Sequence, residues 1–287
     1  MSLRDHIAEL RSRLLKALFF VAIGAVVGWI FYPQIIDVLK APYCDLPVDR
    51  RFQNGSGGCQ LIFTSPLDGF MLRLKIGAIS GIVLAAPFWL YQLWAFVTPG
   101  LHKRERRWTI TFVVVSSLLF VAGAFLAYLT IENALALLVN LAGDSTLAVL
   151  DIVKYMSFVT SMLLVFGVAF ELPLLVVMLN LVGVLPAARL RRWQRLSVFG
   201  IFVFAAIATP SQDPLSMLML AIPMALLFEV AVLVAVVHDR RKARREALTS
   251  FDDLPDDVAS PLDENPTPVD ETPSPLDEPE PLDDLRR

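Results

Sequence analysis

Histidine and cysteine are scarce in this sequence, and the short motifs of common catalytic sites do not occur in it. The 287 residues include three histidines, at positions 6, 102 and 238, and two cysteines, Cys44 and Cys59. There is no Walker A motif, no glycine-rich dinucleotide motif, no His-Glu-x-x-His and no Cys-x-x-Cys. These absences argue against nucleotide chemistry and against a histidine-based metal site. We therefore expect no metal, no cofactor and no nucleic-acid partner.

Apolar residues are abundant, and the charges are divided between two unlike regions. Hydrophobic residues make up 56% of the chain, and the mean hydropathy is +0.61, values typical of membrane proteins. Residues 1–245 carry a net charge of +9, whereas residues 246–287 carry −12 and eight prolines. The composition predicts a membrane domain over 1–245 and a disordered acidic, proline-rich cytoplasmic tail over 246–287.

The long apolar runs predict an all-α, polytopic membrane protein with six transmembrane helices. The predicted spans cover residues 17–32, 76–96, 108–129, 155–184, 196–208 and 215–236. We expect a loop over about 33–69 and a separate short helix over 131–141. The fifth span is short, because 13 helical residues extend about 20 Å, and it should thin the bilayer locally.

The basic residues predict the orientation of these spans. Segments at the N-terminus, 102–107, 189–195 and 240–245 together carry 17 Lys and Arg, whereas the connections on the other side carry four. Positive residues favour the cytoplasmic side, so both termini are predicted to be cytoplasmic. On this topology Cys44 and Cys59 lie on the outer side, where a disulfide between them is one possibility and two free thiols are the other.

Carboxylates in unusual surroundings are the candidate functional groups. Glu171 and Glu229 lie within predicted spans, where an ionisable side chain is costly and is by default functional. Glu9 and Glu105 lie on the cytoplasmic side, Glu105 inside the basic loop 102–107. Local pairing with neighbouring arginines would explain both. The alternative is recognition of a ligand with two guanidinium groups, which pair well with carboxylates.

Several motifs resemble the TatC family, the multispanning receptor subunit of the twin-arginine protein translocase. They lie at residues 6–14, 41–42, 63–67, 86–96, 99–107, 166–173, 209–213 and 221–229, and the resemblance covers roughly 3–237. It implies a concave, glove-like bundle with short fifth and sixth helices in the bacterial cytoplasmic membrane. It also implies membrane lipid, twin-arginine signal peptides and single-span proteins of the TatA and TatB types as partners, within a larger complex in which the chain is a homo-oligomer.

The resemblance also implies roles for particular residues. Signal-peptide binding is expected at Glu9, Arg11, Glu105 and Arg106. Glu171 would line the concave face, and partner contacts are expected at Thr209, Asp213, Met217 and Glu229. Met217 departs from relatives that carry glutamine there, and the outer loop with the two cysteines is longer than in many relatives.

Two other functional classes are compatible with parts of the sequence. A proton-coupled secondary transporter could use Glu171 and Glu229, although such proteins often contain internal repeats and none is evident here. An intramembrane enzyme would need a nucleophile with a base, or a metal motif, within a span. No such group is evident, so the sequence favours binding and assembly without covalent chemistry.

Overall fold

The described part of the chain is mostly helical. The computed structural model describes residues 3–45, 59, 61–97, 106–141, 151–210 and 213–249. The helices in these ranges are α1 (Leu3–Ile30), α2 (Tyr32–Cys44), α3 (Asp68–Leu84), α4 (Ala86–Val97), α5 (Arg106–Leu141), α6 (Ile152–Ala169), α7 (Glu171–Leu181), α8 (Ala187–Ala208) and α9 (Pro214–Thr249). The all-α prediction is confirmed.

Four stretches of the described chain are long and apolar enough to cross a membrane. They are Ile7–Ile30, Ile110–Val139, Ile152–Leu181 and Pro214–Arg245. A fifth forms if α3 and the adjoining Ala86–Phe96 count as one span bent by 56°. The bend falls beside Pro87, which lacks an N–H group and so cannot continue the hydrogen-bond ladder of α3. These spans confirm a polytopic membrane protein.

Two predictions about the connections are wrong. Residues 33–44, expected to be loop, belong to α2. Pro33 is tolerated there because it occupies the first turn of the helix, where its missing N–H costs nothing. Residues 131–141, expected to form a separate helix, are the last three turns of α5. The apolar run of α5 has no proline or glycine after Gly123, so nothing in the sequence interrupts the helix there.

Glycines allow the close approach of α1 and α3. A Cβ atom on Gly81 would lie 2.5 Å from the carbonyl oxygen of Val21 and 2.6 Å from the backbone nitrogen of Ala25. Gly24 faces Gly81 in the same way, with its Cβ position 2.8 Å from the carbonyl oxygen of Gly81. Small residues at such contacts let helix backbones pack directly, which is a main source of stability in lipid. We call this contact the α1–α3 glycine seam.

The apolar core surrounds α6. Met156, Val159, Met162 and Phe166, all on α6, are fully buried against neighbouring helices. Their spacing of three or four residues places them along one stripe of the helix. Half of the most apolar window of the Ile152–Leu181 span is buried, compared with 11% for α1. The α6 helix is therefore the inner element of the bundle, and α1 is a peripheral one.

Covalent and polar contacts fasten one end of the bundle. Cys44, at the end of α2, forms a disulfide with Cys59. The N–H of Ile152 donates to the carbonyl of Ile62 at 3.0 Å, and the hydroxyl of Thr64 donates to the Asp151 carboxylate at 2.5 Å. The hydrogen bond from this hydroxyl lowers the pKa of Asp151 below its ordinary value, and the hydrogen bond from the N–H of Lys154 contributes a smaller part of the shift. The loop before α3 is thereby attached to the start of α6.

The chain divides into two compact units, Met1–Arg241 and Lys242–Arg287. Every site discussed below lies in the first unit. The second is described only over residues 242–249, which are helical. The predicted disordered tail, apart from its first four residues, lies outside the described residues and stays a prediction.

The glycine seam predicts which glycines tolerate a side chain. Gly81→Ala should lower stability by about 1–3 kcal/mol, because the new methyl group meets backbone atoms that cannot move independently. Gly69→Ala, in the same helix, is the matched control. Its Cβ position has no heavy atom within 4 Å, and alanine should stabilise α3 by about 0.5–1 kcal/mol. Thermal unfolding of the purified protein in detergent measures both, and equal shifts would contradict the seam.

Candidate functional site

An apolar cleft separates the first half of α1 from α4. It has a volume of about 170 Å³. The residues that line it are Leu10, Arg13, Leu14, Ala17, Trp89, Gln92, Leu93 and Phe96. The α4 residues recur every three or four positions, so they occupy one face of that helix. We call this site the α1–α4 cleft.

Glu9 lies beside the α1–α4 cleft and is paired within its own helix. The Arg13 guanidinium donates two hydrogen bonds to Glu9 Oε1, from Nε at 2.9 Å and from Nη2 at 2.5 Å. Both side chains are about three-quarters buried. The local pairing weighed in the sequence analysis is therefore present for Glu9. The structure also shows that the paired guanidinium lines the cleft.

Of the other three residues predicted to bind the signal peptide, the structure describes only Arg11 in full. Arg11 is exposed on α1. Arg106 begins α5, but its side chain lies outside the described residues, as does the whole of Glu105. Residues 98–105 connect the cleft end of α4 to α5. Of the two predicted carboxylates, the structure therefore places Glu9 at the cleft and leaves the position of Glu105 a prediction.

Glu171 belongs to a buried polar cluster between three helices. It begins α7 directly after the break at Phe170, and its side chain is 9% exposed. The Ser116 hydroxyl of α5 donates to Glu171 Oε2 at 2.5 Å, and Trp94 Nε1 of α4 donates to the same hydroxyl at 2.9 Å. Glu171 Oε1 is buried with no hydrogen-bond partner among the described residues. The expected position on a concave face is thus, in the structure, a buried position between packed helices.

Helix α4 connects the cleft to this cluster. Trp89 and Leu93 face the α1–α4 cleft, whereas Leu90 and Trp94 are fully buried. At 100° per residue, these two pairs lie roughly a third of a turn apart around the helix axis. A change in the orientation of α4 would therefore alter both the cleft and the buried cluster.

A second apolar groove separates α7, α8 and α9. It has a volume of about 300 Å³, and its lining includes Pro173, Gly200, Phe204 and Phe228. Gly200 is exposed, and no atom lies within 4 Å of its Cβ position. Nearby in sequence, the Gln194 amide donates to the Glu229 carboxylate and ties α8 to α9. We call this site the α8 groove.

Two of the predicted partner-contact residues, both close to the start of α9, have structural roles. Asp213 caps the helix, because its carboxylate accepts the N–H of Ser216 at 2.7 Å. The Thr209 hydroxyl donates to the carbonyl of Ala205 at 2.9 Å and is buried. Met217 is half-buried and packs against the apolar core. Burial leaves Thr209 and Asp213 little surface for a partner, whereas Met217 keeps some.

Sequence reasoning missed the hydrogen-bond partner of Glu171. Ser116 lies in an apolar run, and the Ser116–Ser117 pair was the available signal. It also missed a connection near the end of α9. Asp239 accepts the N–H of Ala187 at 2.8 Å and the Asn180 amide at 3.1 Å, which joins the start of α8 and the end of α7 to α9.

The fold and these sites define a multi-pass α-helical membrane protein with apolar clefts suited to binding. Over the described residues, no group of three or more His, Cys, Asp or Glu could hold a metal ion. The polar groups are arranged as ion pairs, caps and helix contacts.

Comparison with known proteins identifies the family. The model of the Sec-independent protein translocase protein TatC matches residues 5–223. The TatC of Frankia casuarinae is 52% identical over 92% of this chain and 73% of its own length. The TatC of Corynebacterium kroppenstedtii is 42% identical over 91% and 67%. A crystal structure of the twin arginine translocase receptor TatC in DDM superposes with a TM-score of 0.68, at 30% identity over 80% of this chain and 99% of that one.

The chain therefore belongs to the TatC family, which confirms the resemblance seen in the sequence. It is a component of the Sec-independent protein translocase, a multi-pass protein of the cytoplasmic membrane and not an enzyme. The transporter and intramembrane-enzyme alternatives are thereby set aside.

The buried cluster predicts a large effect of a small substitution. Ser116→Ala should lower stability by about 1–3 kcal/mol, because Glu171 loses its donor in a buried site. Ser117→Ala is the matched control, since that hydroxyl is buried without a hydrogen-bond partner in the described structure. Unfolding in detergent compares the two variants, and an equal loss for both would show that the cluster is not stabilising.

Proposed function

We propose that this chain is the receptor subunit of the translocase. It binds twin-arginine signal peptides at its cytoplasmic end and holds single-span partners of the TatA and TatB types. Folded substrates are then exported on the proton-motive force. The observation that carries the proposal is the α1–α4 cleft, an apolar site with the Glu9 carboxylate at its edge.

The cleft offers both kinds of contact that such a signal requires. Leu14, Leu93 and Phe96 supply an apolar surface for the hydrophobic segment of the peptide. Glu9 supplies a carboxylate for one arginine. Glu105, in the connection that follows α4 in the sequence, supplies the second. Planar guanidinium groups pair bidentately with carboxylates, which distinguishes them from lysine.

The proposed orientation has six spans with both termini in the cytoplasm. The described contacts support it, because they gather basic segments at one end. Arg13 lines a cleft with the end of α4, and Trp94 near that end packs against Phe112 of α5. Asp239 binds the start of α8, which carries Arg189, Arg191, Arg192 and Arg195. The span added to those described above, the fifth along the chain, would be the apolar part of α8, residues 196–208.

The α8 groove is the proposed seat of a single-span partner. Its apolar lining and the bare backbone at Gly200 suit close packing of a second helix. Exposed apolar side chains on α8, including Phe199 and Ile207, extend this surface. Met217 and Glu229 on α9 complete the proposed partner contacts, and the homo-oligomer within the larger complex remains part of the proposal.

The role of Glu9 is tested by photocrosslinking from Leu93 to a twin-arginine signal peptide. Glu9→Gln should reduce the adduct about tenfold or more, because a charge-assisted pair is lost. Arg13→Gln should raise it, since Arg13 competes for the same carboxylate. Asp37→Asn is the control, an exposed carboxylate paired with Lys40 elsewhere. An unchanged adduct in Glu9→Gln would overturn this assignment, and a peptide with two lysines in place of the arginines reports background binding.

The partner surface is tested by filling the α8 groove. Gly200→Leu should abolish most of the crosslinking to a TatA- or TatB-type protein, while signal-peptide crosslinking from Leu93 stays at the wild-type level. Stability should not fall, because the new side chain enters open space and leucine favours helix. Gly69→Leu, also in open space but on α3, is the control. Retention of the partner by Gly200→Leu would contradict the proposed surface.

A further inference from the structure

A third and larger groove lies between α5, α7 and α9, within the first unit. It has a volume of about 450 Å³. Its wall is apolar over most of its length, with Val115 from α5, Val177 from α7 and Leu233 from α9. His238 and Arg241 line the groove at the end of α9, and Thr111 lines it near the start of α5. The functions proposed above make no use of this groove.

The groove is open to its surroundings along the apolar wall. Leu233 is 62% exposed, and Val237 and Val115 are also exposed. These residues lie in the two apolar stretches Ile110–Val139 and Pro214–Arg245, which are candidate membrane spans. The surroundings of this wall are therefore lipid, and an acyl chain fits its chemistry.

The polar end of the groove is positive. Arg241 carries a permanent charge there, and Arg240 precedes it. The four arginines at the start of α8 do not line the groove. None of the described residues that line the groove is acidic. An anionic group placed at Arg241 would meet its guanidinium, and the acid next to this end in sequence, Asp239, contacts His238 Nδ1 at 3.4 Å.

The nearest acid in sequence does not cancel this charge. Both oxygens of the Asp239 carboxylate accept hydrogen bonds from α7 and α8, Oδ2 from the N–H of Ala187 and Oδ1 from the Asn180 amide, and Oδ1 also lies 3.4 Å from His238 Nδ1. Asp239 is absent from the groove lining. The Arg241 side chain, two residues later, is on the groove side.

We propose that this groove binds one anionic phospholipid of the surrounding bilayer. The phosphate lies at Arg241 with His238 beside it, and an acyl chain lies along Val177 and Leu233. Basic pockets between transmembrane helices bind anionic headgroups in this manner. The apolar wall and the cation at its end select such a lipid over a zwitterionic one, because only the anionic headgroup has net charge to pair with Arg241.

Two other occupants match only part of the groove. The acidic segment 250–287 of this chain matches Arg241 in charge, but it is rich in Asp, Glu and Pro and does not match the apolar wall. A partner helix matches the wall but has no need of the cation. The lipid satisfies both ends at once.

The test uses the full-length protein with a benzophenone amino acid at Leu233. It is reconstituted in vesicles of equimolar phosphatidylglycerol and phosphatidylcholine. Mass spectrometry after illumination should show a phosphatidylglycerol adduct in excess over the phosphatidylcholine adduct. Arg241→Gln should reduce this excess about fivefold, the effect of one cation near an anionic headgroup. Arg191→Gln, which removes an exposed arginine of α8 outside the groove, should leave the excess unchanged.

The possible results distinguish between the candidate occupants of the groove. Equal adducts of the two lipids, or an equal loss in Arg191→Gln, would overturn the proposal in favour of general surface attraction. A dominant crosslink to residues 250–287, or to a second protein chain, would also overturn it. Val115→Trp gives an independent readout, because it fills the groove from α5 without touching Arg241 and should reduce both lipid adducts.

Discussion

Close backbone contact between helices is the constraint on which the rest of this structure depends. In lipid, apolar side chains gain little by leaving their surroundings, so helices must associate through tight packing and internal polar contacts. Gly24 and Gly81 provide that packing between α1 and α3. Gly123 does the same between α5 and α6, where its Cβ position is 2.5 Å from the carbonyl oxygen of Phe166. These seams fix the helices that carry the cleft and the buried cluster.

Polar contacts then determine how the remaining helices are oriented. Ser116 joins α5 to α7 and α4, Gln194 joins α8 to α9, and Asp239 joins α9 to α7 and α8. Each polar group inside the bundle costs free energy unless it has a partner. The cost is lowest in the arrangement that satisfies all of them, so a few side chains specify helix positions that apolar contacts alone would leave ambiguous.

Much of the fold could be predicted from the sequence, because apolar runs and basic segments report directly on a bilayer. The spans of α1, α5 and α9 followed from such patterns, whereas the break at Phe170, inside the predicted span 155–184, did not. The α2 helix did not, because Pro33 and Pro42 suggest a loop unless the first-turn position of Pro33 is known. At the site, family motifs indicated Glu9 and Glu171. Only one of their partners was predicted. Arg13 is four residues from Glu9 in the sequence, so the pair could be predicted. Ser116 is 55 residues from Glu171, so their contact could be found only from the fold.

The kind of partner separates Glu9 from the carboxylates that connect helices. Glu171, Glu229 and Asp239 are each bound by a different helix or its preceding turn, so replacing their partners would disturb the bundle. Glu9 is held by Arg13 of its own helix. A charge-assisted pair with a ligand can contribute about 1.5–3 kcal/mol, and the Glu9–Arg13 pair joins two residues of one helix. An arriving guanidinium can therefore displace Arg13 without loss of any contact between helices, and Glu9 is a carboxylate that this fold can offer to a ligand.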